Sequence, residues 1–115
     1  MGRMSLMKGK LGEREVAAEL RRLFDIEARR GRQYCGGDNS PDVITDIPGL
    51  HCEVKRTERL SLYSAMRQAI NDAGTNKVPV VFHRQNREEW VVIVRLNDLP
   101  ELVDCFSTVK RNDGD

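Results

Sequence analysis

Aromatic residues are scarce in this 115-residue chain, at 5%. Aliphatic periodicity must therefore carry the folding signal. No apolar run approaches the roughly 20 residues needed to cross a bilayer, and the N-terminus lacks the apolar centre of a secretory signal. The expectation is a soluble, intracellular, cytoplasmic protein with no membrane partner. Cysteine is sparse too. Cys35, Cys52 and Cys105 are an odd number without CxxC spacing, which argues against a disulfide framework or a zinc site and leaves small buried or partly buried thiols. The two histidines, His51 and His83, have no partner at zinc-ligand spacing and read as ordinary strand residues, although His51 shares the Glu53 face, which leaves open a minor role near that residue. Repeats, low-complexity tracts and linkers are absent, and the length fits one small domain able to bury a core.

Charge, in contrast, is plentiful: 32% of residues are charged, although the net charge is only +1. The distribution is uneven. Residues 1–33 hold nine Lys/Arg against five acids, and the remainder holds ten against thirteen. A basic first third beside a carboxylate-bearing centre suits a chain that grips phosphate and also binds a cation. Solvated helix charges explain the same count equally well.

The periodicity outlines the elements. Residues 1–8 read as a short, basic, flexible segment ahead of a domain spanning 9–109. From Gly9 to Phe24, Val16, Leu20, Leu23 and Phe24 follow helical spacing. Glu13 extends that apolar stripe through Val16, Ala17 and Leu20. It is either a first-turn acid favoured by the helix dipole or a carboxylate aimed at the interior. Glu15 falls on the solvated face. Residues 26–33 suggest a short strand interrupted by Gly31, and residues 35–41 a loop. Val43–Thr45 and the run ending at Lys55 read as a β-hairpin turning at Asp46–Gly49. A second helix is expected over 62–73, with Ser61 as N-cap and Gly74 ending it. Two apolar strands follow, 78–83 and 90–94, then a short helix to about Asp104 and a frayed tail over 110–115. The order α-β-β-β-α-β-β-α predicts an α/β sheet with a helix on each side.

The hairpin carries the chemistry. Strand side chains alternate, so Cys52 and Val54 share one face while His51, Glu53 and Lys55 share the other. Asp42 stands on the adjoining strand. A pair of carboxylates with an ammonium beside them is what metal-assisted phosphodiester hydrolysis requires. Each residue also has a plainer reading: Glu53 and Lys55 as a solvent-facing charged pair, Asp42 as a turn-stabilising acid after Pro41.

Three motifs in order, Lys8-Gly9-Lys10-Leu11-Gly12-Glu13-Arg14-Glu15, Pro41-Asp42 and Glu53-Val54-Lys55, resemble the PD-(D/E)XK nuclease superfamily. The first is similar to the opening of archaeal-type Holliday junction resolvases, and the resemblance covers about residues 8–95. It implies a single-domain restriction-endonuclease-like fold, a central mixed β-sheet flanked by helices. It places the helix glutamate on Glu13, the metal-binding acids on Asp42 and Glu53, and the catalytic lysine on Lys55. Mg²⁺, with Mn²⁺ as substitute, would take oxygens from Glu13, Asp42, Glu53 and the Val54 carbonyl, and no small-molecule cofactor is expected. The loop Gly36–Ser40 falls where these resolvases carry a flexible segment near the junction. Gln68 falls at a polar active-site position of many members, or is an exposed glutamine. Candidates for DNA contact are Lys8, Lys10, Arg14, Arg29, Arg30, Arg32, Ser40 and Gln68. Trp90 reads as core or interface rather than a base-stacking platform.

The function implied is a structure-selective endonuclease acting on four-way junctions as a homodimer, because two symmetric nicks need two sites related by a two-fold axis. The strands after Lys77 and residues 99–109 are candidates for the interface. Two rivals share the motif set: a related nuclease cutting flaps, forks or duplex, and a non-cleaving branched-DNA-binding module of the same fold.

Overall fold

The computed structural model describes residues 2–31 and 40–112, with backbone alone for 2–8. It is a compact α/β domain in which one five-stranded mixed sheet is flanked by helices. Helix α1 spans Gly2–Leu23, and strands β1 (Ala28–Arg30), β2 (Val43–Thr45) and β3 (Leu50–Arg56) follow. Helix α2 (Leu62–Ala73), strands β4 (Val78–Arg84) and β5 (Val91–Ile93), a 3-10 turn at Leu96–Asp98 and helix α3 (Leu99–Cys105) complete the order.

The strands lie in sequence order. β1–β2, β2–β3 and β4–β5 are antiparallel. β3 and β4 are parallel, from Leu50↔Val78 to Arg56↔Arg84. A parallel pair needs a crossover, and α2 supplies it. Alternation along β3 then divides the core. Leu50, Cys52 and Val54 face α1 and pack with Val16, Ala17, Leu20, Val43, Val80 and Phe82. On the α2 side, Ala65, Met66 and Ala69 pack against Val81.

Several boundaries differ from the sequence reading. α1 begins at Gly2, not Gly9. No proline interrupts residues 2–8, and methionine, leucine and lysine favour the helix. The strand expected over 26–33 is confined to Ala28–Arg30. The C-terminal stretch is tied down as far as Asn112, where a frayed tail was expected from 110. Asn112 Nδ2 donates to the carbonyls of Arg21 (2.7 Å) and Phe24 (2.9 Å), and Asp25 N donates to Lys110 O at 2.8 Å. These contacts satisfy carbonyls that the last turn of a helix leaves open. Residues 113–115, Cys35, Arg32 and the loop 36–39 lie outside the described residues, as does the side chain of Lys8.

Candidate functional site

The site is assembled where β2 leaves β3. The two strands pair at Val43↔Cys52, and Asp42 N still reaches Cys52 O at 2.8 Å. One step further along β3, the Asp42 carboxylate replaces a backbone acceptor: Val54 N donates to Asp42 Oδ2 at 2.8 Å. Its side chain is thereby fixed beside Glu53. Gly31 secures the same corner from the other side by donating its N–H to Asp42 O at 2.8 Å. A Cβ at residue 31 would collide with Pro41 O, so glycine is needed for the approach itself.

Glu53 does not face solvent. It is 3% exposed, and its neighbour on the same face, His51, is 1% exposed. His51 Nε2 lies 2.8 Å from Glu53 Oε1. The solvent-facing reading of the Glu53 face is overturned, because α2 covers that side of β3. Burial opposes ionisation of Glu53, yet hydrogen bonds from His51 and Asp42 outweigh it and hold its carboxyl below the usual value. Asp42 moves the other way. Burial, with the neighbouring Glu53 carboxylate added, pushes it up to about 7. Two neighbouring carboxyl groups do not comfortably ionise together.

Lys55 occupies the next position on that face, half-buried, with Nζ donating to Gln68 Oε1 at 2.7 Å. Gln68 is thus drawn from α2 to the lysine, although it is exposed. Glu13 arrives from α1, whose close approach to β3 depends on Gly12. A Cβ there would meet Arg56 Cβ at 2.8 Å and Val54 Cγ1 at 3.4 Å. Glu13 Oε1 accepts from Arg30 Nε at 2.7 Å. Its pKa is raised, first by burial, with Arg30 opposing the rise and Glu53 adding to it.

The structure therefore brings together Glu13, Asp42, Glu53, Lys55 and Gln68, with corrections. Arg30 is engaged with Glu13 rather than projecting as a free phosphate contact. Glu15 is not on a solvated face: its Oε1 accepts from Arg84 Nη1 (2.9 Å) and Trp90 Nε1 (3.1 Å). Lys10, Arg14 and Arg29 are exposed, and Ser40 is half-buried. The Val54 N–H serves Asp42.

The expected set of Glu13, Asp42 and Glu53 is also not the trio that lies closest together. Among the described residues, the group whose ligand atoms all lie within 4.8 Å of one another is His51, Glu53 and Asp72. Asp72 escaped the sequence reading. The available signal was helical spacing, since Ala65, Ala69 and Asp72 follow i, i+4, i+7 and place the acid on the line of small residues that meets the sheet.

Cys52 is buried, and burial foremost pushes its thiol up to about 12, so it is an inert core residue. A concavity of about 760 Å³ opens on the α1 side, among Leu20, Phe24, Trp90, Val92 and Phe106, and neither Asp42 nor Glu53 lines it. No family model, curated protein or solved structure matches this chain.

Proposed function

We propose that this chain is a metal-dependent endonuclease with a restriction-endonuclease-like fold, cutting branched DNA at four-way junctions as a homodimer. The observation that carries the reading is the convergence of Asp42, its carboxylate fixed by the Val54 N–H at 2.8 Å, with Glu53 and Lys55 on the adjoining strand. Hard oxygen donors of this kind fit Mg²⁺, and two carboxyl groups held this close favour a positive charge between them. Asp42 and Glu53 would hold the ion, with Glu13 contributing directly or through water. When bound, such an ion acidifies water and offsets charge on phosphate oxygens.

The chain's own groups have separate tasks. Lys55, steadied by Gln68, presents an ammonium that can orient the attacking water and stabilise charge developing on phosphate. Arg30 restrains Glu13. Exposed Lys10, Arg14 and Arg29 offer contacts to the DNA backbone, which fix position without reading sequence. Homodimerisation would supply the second active centre that paired nicks require, and β5, α3 and the apolar concavity beside them suit that contact.

The test is cleavage of a four-way junction against matched linear duplex, with Mg²⁺ and with EDTA. Junction-selective, EDTA-sensitive cutting is expected. Equal cutting of duplex would sink the junction claim, and junction binding without cutting would leave the non-cleaving module. In the same assay Glu13→Gln should lower cleavage at least tenfold with binding retained. Glu15→Gln should cost on the order of 1–2 kcal/mol of stability, through weakened hydrogen bonds to a charged partner, and spare cleavage by the folded protein. Similar cleavage losses in both variants would remove Glu13 from the site.

A further inference from the structure

The sheet face beneath α2 carries a donor set of which the hydrolytic reading uses only Glu53. We propose that His51, Glu53 and Asp72 form a metal site of their own, selective for a transition ion such as Co²⁺ or Zn²⁺ over Mg²⁺. Glu53 is common to this site and to the one with Asp42. The proposal does not require the nuclease reading, because the donor set stands whether or not the chain cuts DNA.

Ligand chemistry supports the selectivity. One imidazole with two carboxylates is a borderline donor set, and imidazole suits zinc, copper, iron and nickel far better than it suits Mg²⁺ or Ca²⁺. Asp42 and Glu13 offer oxygen alone. The nitrogen therefore distinguishes the two sites.

Geometry supports the position. His51 Nε2 and Glu53 Oε1 already stand 2.8 Å apart, and the third ligand atom, from Asp72, completes a set within 4.8 Å. Ligands around a first-row ion, bound at about 2.0–2.2 Å, lie roughly 3.0–3.5 Å apart. The remaining closure is of the size that a side-chain rotation provides, and Asp72 is the half-buried member of the set.

Fold and burial supply the rest. Ala69 is fully buried and Ala65 nearly so, and these small side chains let α2 close on the sheet and bring Asp72 down to β3. In the parallel register His51 pairs with Pro79 and Glu53 with Val81, so apolar neighbours flank the donors. With His51 and Glu53 nearly inaccessible, ion and water enter from the Asp72 side. Three protein ligands leave positions for water.

The proposal is tested by titrating Co²⁺ into the metal-free full-length chain and following its visible d–d absorption. One equivalent is expected to give bands of a mixed nitrogen–oxygen environment, displaced by Zn²⁺ and not by excess Mg²⁺. Asp72→Asn should weaken Co²⁺ binding at least tenfold with an unchanged far-ultraviolet circular dichroism spectrum. His51→Gln should do the same, and Asp42→Asn should keep the bands. Absence of bands in the unmutated protein overturns the proposal. So does a titration unaltered by Asp72→Asn, or one erased by Asp42→Asn alone. Should His51→Gln fail to fold, the more accessible Asp72→Asn still decides. The two readings fail separately: Co²⁺ bands without DNA cleavage would remove the nuclease reading, and Mg²⁺-dependent cleavage without Co²⁺ bands would remove this site.

Discussion

Asp42 and Glu53 sit in the same corner, yet their surroundings drive them in opposite directions. Asp42 is pushed up to about 7, by burial before anything else. Glu53 is lowered, because bonds from His51 and Asp42 outweigh its burial. The consequence for stability follows from which state binds protons more tightly. A folded-state value above the ordinary 3.8 means that protonated Asp42 stabilises the fold. That contribution is complete below the ordinary value and disappears as pH rises through about 7. Glu53 has the opposite sign, and its contribution is lost only as pH falls below the ordinary carboxylate range. In EDTA, the unfolding free energy should therefore decline between about pH 5 and pH 8, by no more than about 1.4 kcal/mol per pH unit for one proton, and the melting temperature with it. Asp42→Asn should flatten the decline. Calorimetry across that range checks both, and a melting temperature that climbs with pH would contradict the account of Asp42.

At the scale of elements, the site depends on how closely α1 lies on β3. Gly12 permits that contact, and Glu13 is the next residue. The side chain in Gly12→Ala would meet Arg56 Cβ at 2.8 Å. Arg56 cannot yield freely: its Nη2 donates to Asn86 Oδ1 at 2.9 Å, and its Nη1 reaches Arg84 O at 3.3 Å. The helix should therefore shift instead, at a cost of about 1–3 kcal/mol, typical of overpacking. Displacement of Glu13 should lower Mg²⁺-dependent cleavage more than the stability loss explains. Denaturant melts paired with rate measurements separate the effects, and an undiminished rate per folded molecule would count against the helix as the carrier of Glu13. Much of this scaffold was legible in sequence because its signals are local. Alternation placed Glu53 and Lys55 on one strand face, and helical spacing singled out Glu13. Partners that meet only through tertiary packing were not legible. Arg30 reaches Glu13 across 17 residues and Trp90 reaches Glu15 across 75, and no pattern along the chain marks such pairs. Asp72 lies between these cases, since its helical line is visible but the histidine beneath it comes from another element.

On the scale of the molecule, the candidate site and the exposed aliphatic side chains lie apart. Asp42 and Glu53 belong to the β2–β3 part of the sheet, and exposed aliphatic side chains mark the far edge of the sheet and α3. Val92 is 54% exposed on β5, and Val103 is 62% exposed on α3. β5 is also an edge strand, whose open backbone groups favour pairing with another chain. Beside them lies the concavity lined by Trp90 and Phe106. Two copies joined at this edge would each keep Asp42 and Glu53 clear of the contact, as the proposed junction-cutting dimer requires. Sedimentation of the unmutated chain should give a dimer. Val92→Glu combined with Val103→Glu should raise the dissociation constant at least about tenfold, or about 1.4 kcal/mol, by burying charge without a partner. Single nicks in a four-way junction should then persist while coordinated cuts on opposing strands are lost. A chain that sediments as a monomer before mutation, or a double variant that still cuts both strands together, would rule this edge out as the interface.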